Sequence, residues 1–347
     1  MNKLLFFFKR PKVVVVDGNG QACAKESILQ VLKPHFKIGK ELLLLNADEN
    51  CLFYLKRSKL PVLVITHIGE YHTDKEFFAG ELNAASRSKE LAKALPKHGF
   101  LVLNFDDETV RNIKNSTSAR SLTFGFGARS EIQATDTILT HSPDRGTNFK
   151  INYQGNTVPI WLEKTFGKEQ IYSALAAAAV GNFLGLNLVE ISGSLKNYQS
   201  LPGKMRLITG IKNSLILDDS AGASVFSMME ALDILGKIDL EQGRKIAVLG
   251  DILGVGEYTA ETHEVIGEKA AKTANLLFTV GNRAGFFAEG ALKKGMAKDK
   301  ILKFRRAEEA GLALQKEIKP GDLILIDGSK EMSMIEIVDE IKAGPIV

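Results

Sequence analysis

The chain has 347 residues, of which 45% are hydrophobic and 25% charged, as is usual for folded globular proteins. This composition excludes a disordered or fibrous chain, and the length predicts about two domains. Lysine and arginine (45 residues) exceed aspartate and glutamate (41 residues) by only four, so the net charge does not indicate a nucleic-acid partner. Cys23 and Cys51 form neither a disulfide framework nor a Cys-x-x-C motif, which favours a reducing, cytoplasmic compartment.

An apolar run of five residues, Leu4 to Phe8, stands between basic residues near the start of the chain. A transmembrane helix needs about 20 apolar residues and the core of a signal peptide about 7 to 15, so no transmembrane segment is predicted. The run instead indicates an edge strand or an apolar terminus, with peripheral membrane contact as the alternative.

Strands and helices are predicted to alternate along the first part of the chain. Valine-rich and leucine-rich runs indicate buried strands at 13–16, 42–45, 61–66 and 101–103, and helical patterns stop at Pro34 and Pro96. From 122 to 163, alternating polar and apolar residues predict antiparallel hairpins at one side of the sheet. Two helices are predicted to follow, at about 170–184 and 188–198.

The alternation begins again after Leu201-Pro202-Gly203. Strands are predicted at 214–217, 245–249, 276–280, 301–304 and 322–327, with helices that end near 235, begin near 259 and cover 332–341. The predicted fold class is therefore α/β, with two doubly wound domains at 1–200 and 201–347. The first has a mostly parallel sheet with antiparallel hairpins, and the second is Rossmann-like.

A glycine turn, Gly18-Asn19-Gly20, separates the first predicted strand from its helix. Such a turn directs backbone N–H groups and the positive end of the helix towards a phosphate. A phosphate loop also needs a lysine and a serine or threonine, whereas Gln21 and Ala22 follow here. The turn is interpreted either as a nucleotide site without its charge or as a tight structural turn.

Two further polar residues, Glu70 and His72, follow the predicted strand at 61–66. Open α/β sheets place their ligands at the carboxyl ends of strands. The pair is therefore a candidate for binding a hard cation or a phosphate, and a capped helix start is the alternative.

In the second domain, Asp218, Asp219 and Asp251 follow predicted strands and are candidates for ligand contact. The first two also suit the N-cap of a helix. His263 is predicted to lie on the surface of a helix.

Seven groups of short motifs cover nearly the whole chain. They are Asn19-Gly20 with Lys25-Glu26, 66–72 (Thr-His-Ile-Gly-Glu-Tyr-His), Ala94-Leu95-Pro96 with Leu103-Asn104, 174–178, 217–220 with Ser227-Met228, 248–251, and 327–330 with Met332. No single motif is decisive, but in this order they resemble the Mur ligase family of peptidoglycan synthesis.

The resemblance implies a central domain that binds ATP and a C-terminal domain that binds an amino acid, with ATP and Mg²⁺ as cofactors. Enzymes of this family phosphorylate a carboxylate, and an amine then attacks the acyl phosphate to form an amide. Positioning, and cations that neutralise phosphate charge, supply most of the catalysis in such reactions.

The resemblance also assigns site residues, several of which depart from the family pattern. Gln21 and Ala22 replace the phosphate-loop Lys and the magnesium-binding Thr, and Ser88 replaces a carbamylated Lys. Lys89 is one residue further on, which is a turn of about 100° on a helix. The implied catalytic residues are Glu70, His72 and Lys89, with Glu70 and His72 as the metal ligands, and the implied cofactor-binding residues are Gly18, Asn19, Gly20, Gln21, Lys25, Lys204, Asp219 and Asp251.

Other departures lie at the adenine site and in the second domain. Glu169 replaces a His, Ser173 an Asn, Lys204 an Arg and Asp327 a Lys. The interval 46–60 offers only Glu49 where the family has a metal-binding Glu, and no counterpart of the family's N-terminal UDP-binding domain is expected before the first strand.

Three functional hypotheses follow. We favour a protein that has kept the fold but lost the chemistry, a binding or scaffolding module whose partner is a nucleotide, an active Mur ligase or another cell-wall enzyme. The second hypothesis is an active ATP-dependent amide-forming ligase that uses Lys25, Lys89 or Lys204 as displaced cations. In the third hypothesis, the central domain binds something other than a nucleotide, and Glu70 and His72 form a different metal site.

Overall fold

The computed structural model describes Phe6 and residues 8–48, 50–69, 78–140 and 145–344. The chain forms two compact units. Unit 1 contains Met1–Ile138, Thr147–Glu163 and Lys168–Gln199, and unit 2 contains Leu139–Gly146, Lys164–Gly167 and Ser200–Val347. Each unit is an α/β unit built on a mostly parallel sheet, which confirms the predicted fold class.

The strands of unit 1 form one sheet. They are β1 (Lys12–Asp17), β2 (Leu42–Asn46), β3 (Pro61–Ile65), β4 (Phe100–Asn104), β5 (Arg120–Gly125), β6 (Ile132–Thr140), β7 (Gly146–Tyr153) and β8 (Asn156–Glu163). Their order in space is β2-β1-β3-β4-β5-β6-β7-β8, and β1 to β5 run parallel to their neighbours. The valine and leucine side chains of the central strands are buried on both faces, as expected for parallel strands covered by helices.

Helices cover both faces of this sheet because successive side chains of a strand point to opposite sides. The helices are α1 (Gln21–Leu32), α2 (Cys51–Arg57), α3 (Phe78–Ala94), α4 (Glu108–Ile113), α5 (Lys168–Phe183) and α6 (Leu188–Leu195). Val14 and Val16 pack in one core with α1 and α5, whereas Val13 and Val15 pack in the other with α2, α3 and α4.

The pairing of β5 and β6 differs from the predicted antiparallel hairpins. β5 is parallel to β4, and β6 begins in parallel with β5 at the pair Phe124↔Ile132. Asp106, which follows β4, accepts hydrogen bonds from the backbone N–H groups of Phe126 (2.6 Å) and Gly127 (2.9 Å) and fixes the loop after β5. Alternation of polar and apolar residues reveals one solvated face but not strand direction, which explains the error.

Unit 2 has a six-stranded sheet. Its strands are β9 (Arg206–Thr209), β10 (Leu215–Asp219), β11 (Lys245–Gly250), β12 (Leu276–Val280), β13 (Ile301–Phe304) and β14 (Leu323–Asp327), in the order β13-β12-β11-β14-β10-β9. Its helices are α7 (Val225–Lys237), α8 (Thr259–Thr273), α9 (Ala284–Lys293), α10 (Ala307–Glu317) and α11 (Ile335–Ile341). β9 is antiparallel to β10, and the sequence did not predict it because four residues are too few to show a pattern. Within the described residues, no helix has both the length and the apolar character that a membrane crossing requires.

A buried carboxylate joins the start of β14 to β11. Asp322 accepts hydrogen bonds from Arg244 Nη2 (2.7 Å) and Nε (3.2 Å) and from the backbone N–H groups of Arg244 and Lys319 (both 2.9 Å). Burial alone would raise the pKa of Asp322, but these hydrogen bonds outweigh it and lower the pKa. The ionised pair therefore stabilises unit 2 at neutral pH.

We predict that Asp322→Asn lowers the free energy of unfolding by about 2 to 4 kcal/mol at pH 7, because it removes the buried charge that binds Arg244 and leaves Glu317, a partly exposed acid at 2.7 Å, as the remaining ion-pair partner. Since the native pKa lies below the unfolded one, the loss should shrink as the pH falls through the native pKa. Urea titrations at several pH values would measure it. Asp299→Asn, at an exposed carboxylate 3.8 Å from Lys300, is the control and should change little.

Candidate functional site

The glycine loop connects the carboxyl end of β1 to α1. Gly18 has φ of 104°, and a Cβ at this position would lie 2.6 Å from the carbonyl oxygen of His67, so only glycine fits. The backbone N–H of Asn19 donates to the same His67 oxygen (2.6 Å), and Thr66 Oγ1 donates to the Asn19 oxygen (2.5 Å). The N–H of Gln21 donates to the oxygen of Gly18 (3.2 Å). Two amides of the loop are thus already bonded to protein carbonyls.

A buried carboxylate stands at the start of this loop. Asp17 is fully buried, and its Oδ1 accepts a hydrogen bond from Arg87 Nη2 (2.5 Å) while its Oδ2 accepts one from Ser88 Oγ (2.5 Å). Both partners belong to α3. The guanidinium of Arg87 is therefore bound by a protein carboxylate at the start of the loop. Ser88, the other partner, occupies the position where the resemblance implies a carbamylated Lys.

The structure places the other predicted residues of unit 1 in varied surroundings. Lys25 is half-buried on α1, and Lys89 is exposed on α3. The side-chain oxygen of Gln21 is buried and has no hydrogen-bond partner among the described residues. Glu169, in the first turn of α5, brings its Cγ within 3.2 Å of the point that a Cβ on Gly20 would occupy. A carboxylate therefore lies beside the glycine loop.

Glu70 and His72, the predicted metal ligands, lie outside the described residues, as does Glu49. The segment before them is held by Asp107, whose Oδ2 accepts hydrogen bonds from the N–H groups of Ile68 (2.8 Å) and Gly69 (3.3 Å). In the described ranges, no three His, Cys, Asp or Glu side chains are grouped as a metal would need. The metal site predicted here stays a prediction.

In unit 2, two adjacent carboxylates fix the segment that carries Lys204. Asp218 accepts a hydrogen bond from the N–H of Gly203 (2.8 Å), and Asp219 accepts one from the N–H of Met205 (3.2 Å). Asp218 also accepts hydrogen bonds from the backbone N–H and the hydroxyl of Ser220. These aspartates thus position Lys204 and do not cap a helix, because Ser224 is the N-cap of α7.

Asp327 is a buried acid at the end of β14. It is fully buried, neither of its carboxylate oxygens has a hydrogen-bond partner among the described residues, and it lies opposite Asp219 in the strand register. Burial and the neighbouring Asp219 charge raise the pKa of Asp327 well above its usual range, while the charge of Lys204 and the nearby backbone N–H of Gly328 act in the opposite direction.

Asp251 follows β11 and is surrounded by a separate set of residues. It accepts hydrogen bonds from the N–H of Arg283 (3.1 Å), and burial raises its pKa.

His263 is fully buried, so the prediction of a surface position is wrong. Its Nε2 accepts a hydrogen bond from the N–H of Ile252 (3.1 Å) and its Nδ1 lies 2.6 Å from the oxygen of Thr259. Burial lowers the pKa of His263, which fits a neutral ring that fastens α8 to the sheet.

A pocket of about 280 Å³ opens beside Asp251. It is lined by Asp251, Leu253, Gly281, Asn282, Arg283, Arg305 and Met332. The sequence analysis missed both arginines. Because Arg283 follows β12 and Arg305 follows β13, the same rule that selected Asp251 at the end of β11 would have found them.

Two solved structures share this pair of doubly wound units and define the class of fold. MurF from Acinetobacter baumannii superposes with a TM-score of 0.80 at 21% identity, covering 97% of this chain and 78% of that one. A MurF ligase from Thermotoga maritima in complex with ADP gives a TM-score of 0.75 at 19% identity, covering 97% and 81%.

The chain belongs to the Mur ligase family. Residues 53–181 match the Mur ligase middle domain, and 203–330 match the Mur ligase glutamate ligase domain. The UDP-N-acetylmuramoyl-tripeptide--D-alanyl-D-alanine ligase of Bacillus subtilis is 28% identical over 286 residues, which are 82% of this chain and 59% of the relative. The same ligase of Escherichia coli is 29% identical over 265 residues, which are 75% of this chain and 56% of the relative. The chain thus spans less than two thirds of the length of these relatives.

We predict that Asp327→Asn stabilises the protein by about 1 to 3 kcal/mol at pH 8, because it removes a buried acid without hydrogen-bond partners. Because the native pKa of Asp327 is raised, the parent loses stability as the pH rises through that pKa. The difference in free energy of unfolding between Asp327→Asn and the parent should therefore shrink as the pH falls towards about 4. Urea titrations would measure both.

Asp218→Asn is the matched control, since both Asp218 oxygens accept hydrogen bonds, and this variant should lose stability at pH 8. An Asp327→Asn variant less stable than the parent at pH 8 would show that ionised Asp327 is compensated after all.

Proposed function

We propose that this protein is a Mur-ligase-family binding or scaffolding module, a pseudoenzyme with a degenerate phosphate loop, that kept the two-unit fold without phosphoryl transfer. The observation that carries the proposal is the Asp17 carboxylate at the glycine loop, held by Arg87 and Ser88. A triphosphate site needs positive charge at this place. Here the nearest described arginine already neutralises a protein acid.

The charge balance of the loop supports the proposal. Gln21 and Ala22 stand where a phosphate loop has a lysine and a hydroxyl. Glu169 adds a further carboxylate next to Gly20. Losing one electrostatic donor at a transition state costs about 10² to 10³ in rate. The loss of the lysine alone would therefore reduce turnover severely.

The loop does not fit magnesium and ATP as the family uses them. The methyl group of Ala22 has no oxygen to offer a metal ion, and the amides of Asn19 and Gln21 donate to carbonyl groups of the protein. The match to the family's middle domain also begins at residue 53, after the loop. The loop residues therefore do not supply the groups that ATP cleavage requires.

We predict that the parent binds ATP with magnesium no more tightly than about 1 mM by calorimetry. Gln21→Lys with Ala22→Thr should bind at least about tenfold more tightly, because it restores the missing donors. Adding Asp17→Asn should strengthen binding further by removing a negative charge and releasing Arg87.

Gln154→Lys, on the exposed turn between β7 and β8, adds the same charge away from the loop and is the control. Micromolar, magnesium-dependent binding of ATP to the parent, or ATP-dependent phosphate release, would instead support an active ligase that uses Lys25, Lys89 or Lys204. Co-elution with a purified active Mur ligase would test the scaffolding role directly.

We infer that unit 2 retains a ligand site at the pocket beside Asp251. Arg283 and Arg305 offer guanidinium groups to a carboxylate, and Asp251 lies in the same pocket to face an ammonium group. A short peptide with free ends presents both charges. The curated relatives are named for D-alanyl-D-alanine, which is small enough for this pocket and is the first ligand to test.

We predict that D-alanyl-D-alanine binds the parent and that Arg305→Ala weakens its binding at least about tenfold, through loss of a charge-assisted hydrogen bond. Titration followed by calorimetry or by NMR would measure this. Arg306→Ala is the matched control, because Arg306 pairs with Glu309 and does not line the pocket. If Arg305→Ala and Arg306→Ala weakened the binding of D-alanyl-D-alanine equally, the pocket would be excluded as its binding site.

A further inference from the structure

The amino-terminal edge of the unit 1 sheet carries a concentration of positive charge. β1 to β5 are parallel, so the segments that lead into them lie along one edge. Those segments are 9–12, 33–41, 56–60, 93–99 and 114–120, and together they hold thirteen lysines and arginines and one acid, Glu41. The whole chain has a positive excess of only four. Charge is therefore strongly segregated.

We call these thirteen residues the basic rim. They are Lys9, Arg10, Lys12, Lys33, Lys37, Lys40, Lys56, Arg57, Lys59, Lys93, Lys97, Lys114 and Arg120. All but Lys12 are exposed. The loops at the opposite edge of the same sheet hold Asp17, Asp48, Asp106, Asp107 and Glu108. In the described part of that edge these acids outnumber the cations Arg87, which pairs with Asp17, and Arg129, so its net charge is opposite to that of the rim.

Contacts between the segments fix the rim in place. The N–H of Lys12 donates to the oxygen of Glu41 (3.0 Å), and Ser58 Oγ donates to the oxygen of Pro11 (2.8 Å). Five strands about 4.8 Å apart make an edge of roughly 20 Å. Thirteen cations within that width repel one another, and an anionic partner would relieve the repulsion.

Few of these cations are neutralised within the protein. Lys93 pairs with Glu90, and Arg10 is also engaged. For the remaining eleven, no carboxylate in the described part of the chain lies within ion-pair distance. Of these eleven, Lys12 lies over the ring of Phe36 and Arg57 over the ring of Phe53. The other nine are exposed to an external partner.

Helix dipoles account for part of the rim. Lys33, Lys56, Arg57, Lys93 and Lys114 lie in the last turn or at the C-cap of a helix, where positive charge is favoured. The other eight residues lie outside such positions. The local needs of the helices therefore do not explain the rim as a whole.

An exposed apolar side chain lies within the rim. Phe8, next to Lys9, is 78% exposed. Phe6 is fully buried, with its ring 4.8 Å from that of Tyr54, so Phe6 packs against α2. An apolar side chain flanked by lysines is the arrangement that binds the interface of a membrane.

We propose that the basic rim binds membrane surfaces rich in anionic phospholipids, with Phe8 entering the headgroup region. Ten of the thirteen residues are lysines, which attract anionic headgroups as point charges rather than by the planar, bidentate contacts of arginine. The exposed Phe8 side chain favours lipid over nucleic acid. This inference is independent of the proposed function, since it involves neither the glycine loop nor the pocket.

The test is flotation of the full chain with vesicles. Vesicles of phosphatidylcholine with about one third phosphatidylglycerol should bind the protein, and phosphatidylcholine alone should not. Raising the salt from about 50 mM to about 300 mM should weaken binding at least tenfold, because screening shortens the reach of the charges. Failure to float with anionic vesicles at low salt would overturn the proposal.

Two charge-matched variants locate the site. Lys56→Glu with Lys59→Glu should weaken vesicle binding at least about tenfold, since each basic residue near the membrane is worth about fivefold. Lys294→Glu with Lys298→Glu, at exposed positions of unit 2, makes the same change in net charge and should bind as the parent does. Equal loss in both would leave net charge as the cause and overturn the assignment to the rim.

A replacement variant, a Phe8 variant and a comparison with duplex DNA complete the test. If the first variant does not fold, as judged by circular dichroism, Lys9→Glu with Lys97→Glu replaces it. Phe8→Ser should weaken binding at the higher salt, where apolar insertion contributes most. Binding of duplex DNA at least as tightly as anionic vesicles, under the same salt conditions, would identify nucleic acid as the partner and overturn the proposal.

Discussion

The ion pair between Asp17 and Arg87 is the interaction on which the candidate site of unit 1 depends. It stands where the first parallel strand ends, and in an open α/β sheet that is the place where a ligand meets backbone amides and a helix end. A buried carboxylate needs a partner, and α3 supplies both Arg87 and Ser88. Once the arginine is committed to Asp17, its charge no longer serves a phosphate. In the proposed function, this ion pair accounts for a retained fold without phosphoryl transfer.

The buried acids of unit 2 differ in their hydrogen bonding. Asp218 and Asp219 accept backbone hydrogen bonds and hold the segment that carries Lys204. Asp327, on the adjacent strand, receives no hydrogen bond from the described residues and shares the region with Asp219. Unmatched buried groups cost stability, and proteins retain them where something other than stability is selected. This part of unit 2 is thus under a constraint that packing alone does not explain.

The sequence predicted most of the fold and less of the site. Buried parallel strands such as β1 and β12 are continuous apolar runs, so their positions can be predicted directly. The direction of the strands after β5 could not be predicted, because alternation of polar and apolar residues does not reveal direction. The short strand β9 could not be predicted either, because four residues are too few to show a period. The partner of Asp17 could not be predicted either. Arg87 is 70 residues away, and which face of α3 meets the loop depends on tertiary packing.

The opposed charges at the two edges of the unit 1 sheet have a kinetic consequence. A strand of about five residues is roughly 17 Å long, so positive and negative ends are separated by more than a Debye length at physiological salt. Unit 1 therefore carries a permanent dipole moment along its strands. Any charged body that it approaches exerts a torque on it before contact. Encounters are thereby biased towards one orientation, with the glycine loop facing away from negative surfaces and towards positive ones.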